Sequence, residues 1–200
     1  MLVSIIKEKY GRICVGERGL MSKLKAKKWT LLYTEISKLG EGGNADVYLV
    51  EDSRSGKRYA LKELRSSNRS EEKKSRFVSE IQIARDNCTI IPGIIPVIDY
   101  SMEDYWYTMP IAQQIMGCVN GMSLDEIING VLQLCETLGR LHEKGIHHRD
   151  IKPSNIYYYD GRFSFGDFGL VDFPDNDDFT KSDRGLGAIF TIAPEMKRNP

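Results

Sequence analysis

The sequence has no cysteine pair at metal-ligand spacing, no long apolar run and no excess of either charge. Its four cysteines (Cys14, Cys88, Cys118 and Cys135) are scattered, and none forms a CxxC. That argues against a zinc module and predicts reduced, mostly buried thiols in a cytosolic protein. No stretch approaches the roughly 20 apolar residues of a membrane span. The short apolar start in residues 1–10 is broken by Lys7, Glu8 and Lys9, so it lacks a signal-peptide core. Lys plus Arg and Asp plus Glu both number 28. That balance predicts neither a nucleic-acid nor a membrane partner. Histidines are few, and His142 and His147 have no metal-like partners in the pattern. With 41% apolar and 28% charged residues, the 200-residue chain reads as soluble and globular, forming one domain or two small lobes.

Residues 1–28 carry a short apolar segment interrupted by Gly11, Gly16 and Gly19, then a basic cluster of Lys23, Lys25, Lys27 and Lys28. The cluster reads as a solvated face, with a docking segment as the alternative. From Leu31 the pattern turns to strands. Glu35–Leu39 leads into Gly40-Glu41-Gly42-Gly43-Asn44-Ala45-Asp46-Val47, and a strand over 47–50 follows. After the turn at 53–57, residues 58–64 form a third strand ending in Lys62-Glu63-Leu64. This is an antiparallel meander around a glycine-rich hairpin, unlike the strand-to-helix setting of a Rossmann or Walker loop. Gly40, Gly42 and Gly43 permit a backbone that folds over phosphates without side-chain clash.

Residues 65–75 read as a polar loop leading into a helix whose apolar face is Phe77, Ile81 and Ala84. Glu80 lies on that side of it. Pro92-Gly93 and Pro96 among Ile and Val suggest a turn and then an edge-like strand. Residues 106–109 read as a further strand, followed by the linker Pro110-Ile111-Ala112. Ser123 or Asp125 can cap the next helix, whose broad stripe (Ile127, Ile128, Val131, Leu132, Leu134, Cys135, Leu138, Leu141) predicts a largely buried element ended by Gly145. Then come His148-Arg149-Asp150-Ile151-Lys152-Pro153-Ser154-Asn155, a strand–turn–strand through Tyr157 and Gly161, and Asp167-Phe168-Gly169. Asp150 can accept a proton from a hydroxyl, Lys152 can neutralise a moving phosphate, and Asn155 and Asp167 can ligate a metal ion. Phosphoryl transfer needs those parts, because it is mostly positioning and charge neutralisation.

In this order, the glycine loop, strand Lys62, helix Glu80, catalytic loop, Asp167-Phe168-Gly169 and Ala193-Pro194-Glu195 resemble the eukaryotic-type protein kinases. Lys152, two residues after Asp150, resembles the serine/threonine branch. The resemblance covers about residues 36–195. It implies an α+β, bilobal fold. A five-stranded antiparallel small lobe with one main helix spans 31–109, after an extension over 1–30. A hinge at 110–112 joins it to an incomplete, mainly helical lobe over 113–200. The family's large lobe continues with further helices, so the chain reads as C-terminally truncated after Glu195.

The resemblance also implies roles. Lys62 would hold the ATP phosphates, positioned by Glu80. Val47, Ala60, Met109, Pro110, Ala112 and Tyr157 would line the nucleotide site with the glycines. Asp150 would orient and deprotonate the acceptor hydroxyl of a protein substrate, and Lys152 would stabilise the transferring group. Asn155 and Asp167 would hold Mg²⁺. His148 would pack as a structural residue. Arg149 would receive a phosphate placed on Thr180 or Ser182 of the segment after Gly169. Three positions depart from the family's pattern: Ala45 stands where it has a third Gly, Tyr157 where it has an aliphatic floor, and Ala188 where it has Thr. The implied function is an ATP- and Mg²⁺-dependent serine/threonine kinase; the alternative is an inactive kinase-like module that binds nucleotide or a partner.

Overall fold

The computed structural model describes residues 28–42 and 44–171. Strands β1 (Tyr33–Glu41), β2 (Ala45–Asp52) and β3 (Arg58–Leu64) are followed by helix α1 (Glu71–Asn87), then β4 (Asp99–Ser101) and β5 (Trp106–Met109). These five strands form one antiparallel sheet in the order β1-β2-β3-β5-β4. The edge character expected after Pro96 is realised in β4, the last strand of that order. Beyond the linker, β6 (Gln113–Gln114), helix α2 (Leu124–Glu143), β7 (Ile156–Tyr159) and β8 (Arg162–Phe165) complete the described chain, with β6-β7-β8 as a second, three-stranded sheet.

Alternation of side chains gives the five-stranded sheet two different faces. One buries Tyr33, Tyr48, Val50, Leu61 and Trp106, and Trp29 closes it with no exposed surface. Trp29 donates from Nε1 to Glu63 at 3.1 Å. It stands in a short 3-10 turn (Lys28–Leu31) ahead of β1 and packs against this face of the sheet. On the opposite face, Ala45, Leu64 and Tyr107 pack against Phe77 and Ile81 of α1.

Helix α1 begins at Glu71, several residues before its apolar face suggests. Ser70 caps it, accepting from Lys73 N, and Glu71 and Glu72 occupy the first turn. A cap and acidic first-turn residues stabilise a helix start without adding to its apolar periodicity. The link from α1 to β4 is stitched to β8: Phe165 N donates to Gly93 O at 2.7 Å, and Ile95 N donates to Phe165 O at 3.0 Å.

Ser123 caps α2, forming a reciprocal capping box with Glu126. At the other end Gly145 adopts φ 72°, and Ile146 N returns to Leu141 O at 3.0 Å. The helix is not largely buried, as its stripe implied. It buries Gly130, Leu134, Thr137 and Leu141, and leaves Leu124, Ile128, Val131, Leu132 and Cys135 exposed. Only the face that meets β8 is covered by described residues. Gly130 permits that contact, because a Cβ there would stand 2.4 Å from the Phe163 ring. The thiols differ from expectation too: Cys88 and Cys118 are half-buried, Cys135 is exposed, and all three are free. Among the described residues no helix is long and apolar enough to cross a membrane.

Candidate functional site

Strand register builds the upper wall of a cleft. Gly40 on β1 lies opposite Val47 on β2, Val47 opposite Lys62 on β3, and Lys62 opposite Tyr107 on β5. Directly paired residues share a face, so these four form one row across the sheet. Ala60 and Met109 pair in a neighbouring row on the same face. Gly40 has open space where a side chain would stand. Gly42 N donates to Ala45 O at 2.9 Å, which closes the hairpin tip. Ala45 contributes its methyl to the small-lobe core, so its departure from glycine is absorbed by packing. Gly43 lies outside the described residues.

Ion pairs brace this hairpin. Arg65, just past β3, reaches Asp46 at 2.9 Å and Glu41 at 2.7 Å. Lys38 reaches the same two carboxylates at 3.0 and 3.2 Å.

Lys62 is the electrostatic centre. Its Nζ stands 2.6 Å from Glu80 Oε1 and 3.2 Å from Asp167 Oδ1. Burial alone would pull the ammonium down, but Asp167 and Glu80 lift its pKa well above the usual value. The reverse balance holds for Glu80, whose burial raises its pKa despite Lys62. Lys62 holds Asp167 below the usual carboxylate range. Glu80 is the glutamate that α1 brings to the lysine, as expected; Glu71 is exposed and pairs with Lys74.

The lower wall is the loop between α2 and β7. Asn155 Nδ2 lies 2.9 Å from both the backbone oxygen and Oδ2 of Asp150. Lys152 Nζ reaches Asp150 Oδ2 at 2.7 Å. These donors converge on Oδ2. Arg149 (φ 59°) and Asp167 (φ 61°) are non-glycine residues in the left-handed region, each costing about 1–3 kcal/mol. Surrounding bonds hold both: Asp150 N to His148 O at 2.8 Å, and Gly169 N to Asp167 Oδ1 at 3.4 Å. His148 is buried between Phe165 and Phe168, with ring centroids 5.1 and 4.9 Å away. Burial lowers its pKa and favours the neutral ring, which fits packing better than proton transfer.

The linker places Pro110 and Ala112 half-buried directly after Met109. Strand β6 follows at once and pairs with β7, with Gln114 opposite Tyr157. Tyr157 therefore comes beside the linker, and its ring covers Gly166, where a Cβ would stand 2.9 Å from it. Of the expected site residues, Val47 shares the row of Lys62, Ala60 pairs with Met109, and Tyr157 lies within reach of the charges of Lys62, Asp167 and Glu80. Thr180, Ser182, Ala188 and Ala193-Pro194-Glu195 lie outside the described residues, as does the basic cluster at 23–28 apart from the backbone of Lys28. The sequence reading missed Tyr107, whose phenol donates to Glu80 Oε1 at 2.7 Å. Its period-two relation to Met109 was the available signal.

The donor set suits Mg²⁺ and a nucleotide. Asp167 and the Asn155 carboxamide offer hard oxygens of the kind Mg²⁺ takes, and Asn155 turns its amide nitrogen toward Asp150. No group of three His, Cys, Asp or Glu gathers into a metal cluster among the described residues. Mg²⁺ needs none when one or two protein oxygens share it with phosphates.

Comparison with known proteins bears on the same residues. The sequence matches the protein kinase domain family over residues 33–198. The serine/threonine-protein kinase PknD of Chlamydia trachomatis is 32% identical over 193 residues, covering 82% of this chain and 18% of that protein. The serine/threonine-protein kinase PrkC of Bacillus subtilis is 32% identical over 180 residues, covering 83% and 27%. The chain therefore spans well under a third of the length of these relatives.

Proposed function

The chain belongs to the protein kinase domain family, and from that premise we propose that it transfers the γ-phosphoryl group of ATP to a serine or threonine hydroxyl of a protein. One observation carries the reading. Lys62 is held between Glu80 and Asp167 at 2.6 and 3.2 Å, while Asp150 is held by Asn155 and Lys152 across the same cleft. These pairings support the reading, which needs a phosphate cation, metal-ligating oxygens and a general base positioned before substrate arrives.

Each residue has a distinct task in this reading. Lys62 binds the nucleotide phosphates, and Glu80 keeps its ammonium pointed there. Gly40, Gly42 and Gly43 cover the phosphates, and Val47, Ala60, Met109 and Tyr157 enclose the base. Pro110 offers a carbonyl and Ala112 an N–H to the edge of the base. Asp150 accepts the hydroxyl proton on Oδ1 as the oxygen attacks in line. Lys152 stabilises charge on the transferring group. Asp167 and Asn155 would hold Mg²⁺, which would neutralise the phosphate oxygens when bound. Thr180 or Ser182 would carry an activating phosphate that pairs with Arg149. The boundaries drawn from the sequence belong to the same reading: an extension over 1–30, a small lobe over 31–109, a hinge at 110–112 and part of a large lobe from 113. So does a reducing, cytoplasmic setting.

The test is transfer of radiolabelled γ-phosphate to a general protein substrate with Mg²⁺, comparing wild type with Asp150→Ala. Transfer that disappears in the variant supports the reading. A folded wild type that binds nucleotide without transferring phosphate selects the binding module instead.

A further inference from the structure

We infer that Tyr107 is a positioning residue of this site: its phenol holds the Glu80 carboxylate, and through it the Lys62 ammonium, in the geometry that receives the nucleotide phosphates. The inference rests on the kinase reading above and assigns that site a residue outside the motif set.

The geometry is specific. Tyr107 lies directly opposite Lys62 in the β3–β5 ladder. Both residues donate to the same oxygen, Glu80 Oε1, at 2.7 and 2.6 Å. The other carboxylate oxygen faces the backbone at Gly169, where an added Cβ would stand 3.6 Å from it. Tyr107 and Glu80 are both buried, at 5% and 3% exposure, so water does not replace a lost donor easily. The ring is held by Phe77 of α1, with centroids 5.7 Å apart. Tyr107 thus touches α1 twice, once through its ring and once through its hydroxyl.

The charge arrangement explains why a second donor matters. Four titratable groups act on Glu80 or its partner: Lys62 from β3, Tyr107 from β5, Asp167 after β8 and, farther off, Tyr157 from β7. Asp167 and Glu80 compete for one ammonium. Glu80 is buried and has to share the Lys62 ammonium with Asp167, so a second donor on Oε1 steadies its carboxylate. Tyr107 is that donor. It cannot ionise in competition, because burial and the adjacent Glu80 push its own pKa well up.

The test compares wild type with Tyr107→Phe, each alone and in a Glu80→Ala background. It reads nucleotide affinity by calorimetry and kcat and KM for Mg-ATP across pH. Losing a hydrogen bond to a buried charge is expected to lower kcat/KM about tenfold. Removing a donor raises the Glu80 pKa, so the acid limb of kcat/KM moves to higher pH. In the Glu80→Ala background the second substitution should change nothing further. Wild-type kcat/KM, affinity and acid limb in Tyr107→Phe would overturn the inference. So would an equal loss with Glu80 already removed, which indicates a general packing defect. If wild type binds ATP without transfer, the kinase reading fails separately and the affinity comparison still decides the role of Tyr107. A wild type that neither binds nor transfers overturns both.

Discussion

Asn155 and Asp150 are joined twice: one carboxamide nitrogen meets the backbone oxygen and the Oδ2 of the aspartate, both at 2.9 Å. The loop between them, four residues long, is thereby closed on itself, with both residues buried. The aspartate is oriented by the residue whose carboxamide oxygen is proposed to hold Mg²⁺.

Asn155→Ala should therefore release Asp150 and remove a metal ligand in one change. Misplacing a catalytic group can cost about 100-fold, so kcat for phosphate transfer should fall at least that far. Loss of the hydrogen bonds should cost about 1–3 kcal/mol of stability, readable by urea denaturation. A fall in stability with kcat unchanged would show that the loop orients Asp150 without Asn155.

Asp167 makes a pH-dependent contribution whose sign follows from Lys62. Its folded pKa lies below the ordinary 3.8, so its stabilisation is complete above that value and is lost as pH falls through the folded pKa. Asp167→Asn should melt below wild type at pH 7, and the two melting curves should converge in strong acid. A gap that stays constant down to acid would assign the difference to packing.

Two glycines of α2 should respond to alanine in opposite directions. At Gly130 the new Cβ would stand 2.4 Å from the Phe163 ring, and overpacking should destabilise by about 1–3 kcal/mol. At Gly139 nothing lies within 4 Å, so the better helix propensity of alanine should stabilise by about 0.5–1 kcal/mol. Chemical denaturation of both variants reads the contrast directly.

Arg65→Ala should loosen the glycine hairpin, because Arg65 grips Asp46 and Glu41 from the far end of β3. Ion pairs with solvent access are worth up to about 1 kcal/mol, so KM for ATP should rise about two- to fivefold with kcat little changed. Raising ionic strength should move wild type toward the variant through screening. Equal KM values at low salt would leave the hairpin braced by Lys38 alone.

The chemistry-bearing residues were legible where they sit close together in sequence or in motifs of fixed order. Asp150, Lys152 and Asn155 share one short loop, and Asp167 follows one hairpin later, so local spacing constrains their positions. Lys62 and Glu80 were legible as a strand lysine and a helix glutamate, on resemblance. Tyr107 was not legible, because its meeting with Glu80 depends on β5 pairing with β3 after α1 has crossed between them. The start of α1 was misplaced for a different reason: Ser70, Glu71 and Glu72 stabilise a helix end through hydrogen bonds and dipole interactions that apolar periodicity does not register.

By itself the sequence determined the antiparallel meander, the two main helices, the hairpin at Asp160-Gly161 and the identities of the charged groups in the cleft. Those follow from alternation, helical period, turn residues and motif order, which act over a few residues. Only the tertiary structure decided which face of α2 is covered, that Trp29 packs against the sheet, that Arg65 braces the glycine hairpin, and that Lys62 and Tyr107 share one oxygen of Glu80. Each of these is a contact between segments distant in the chain. Their energies depend on burial and on distances of a few ångströms, which exist only once the strands have paired and the helices have packed.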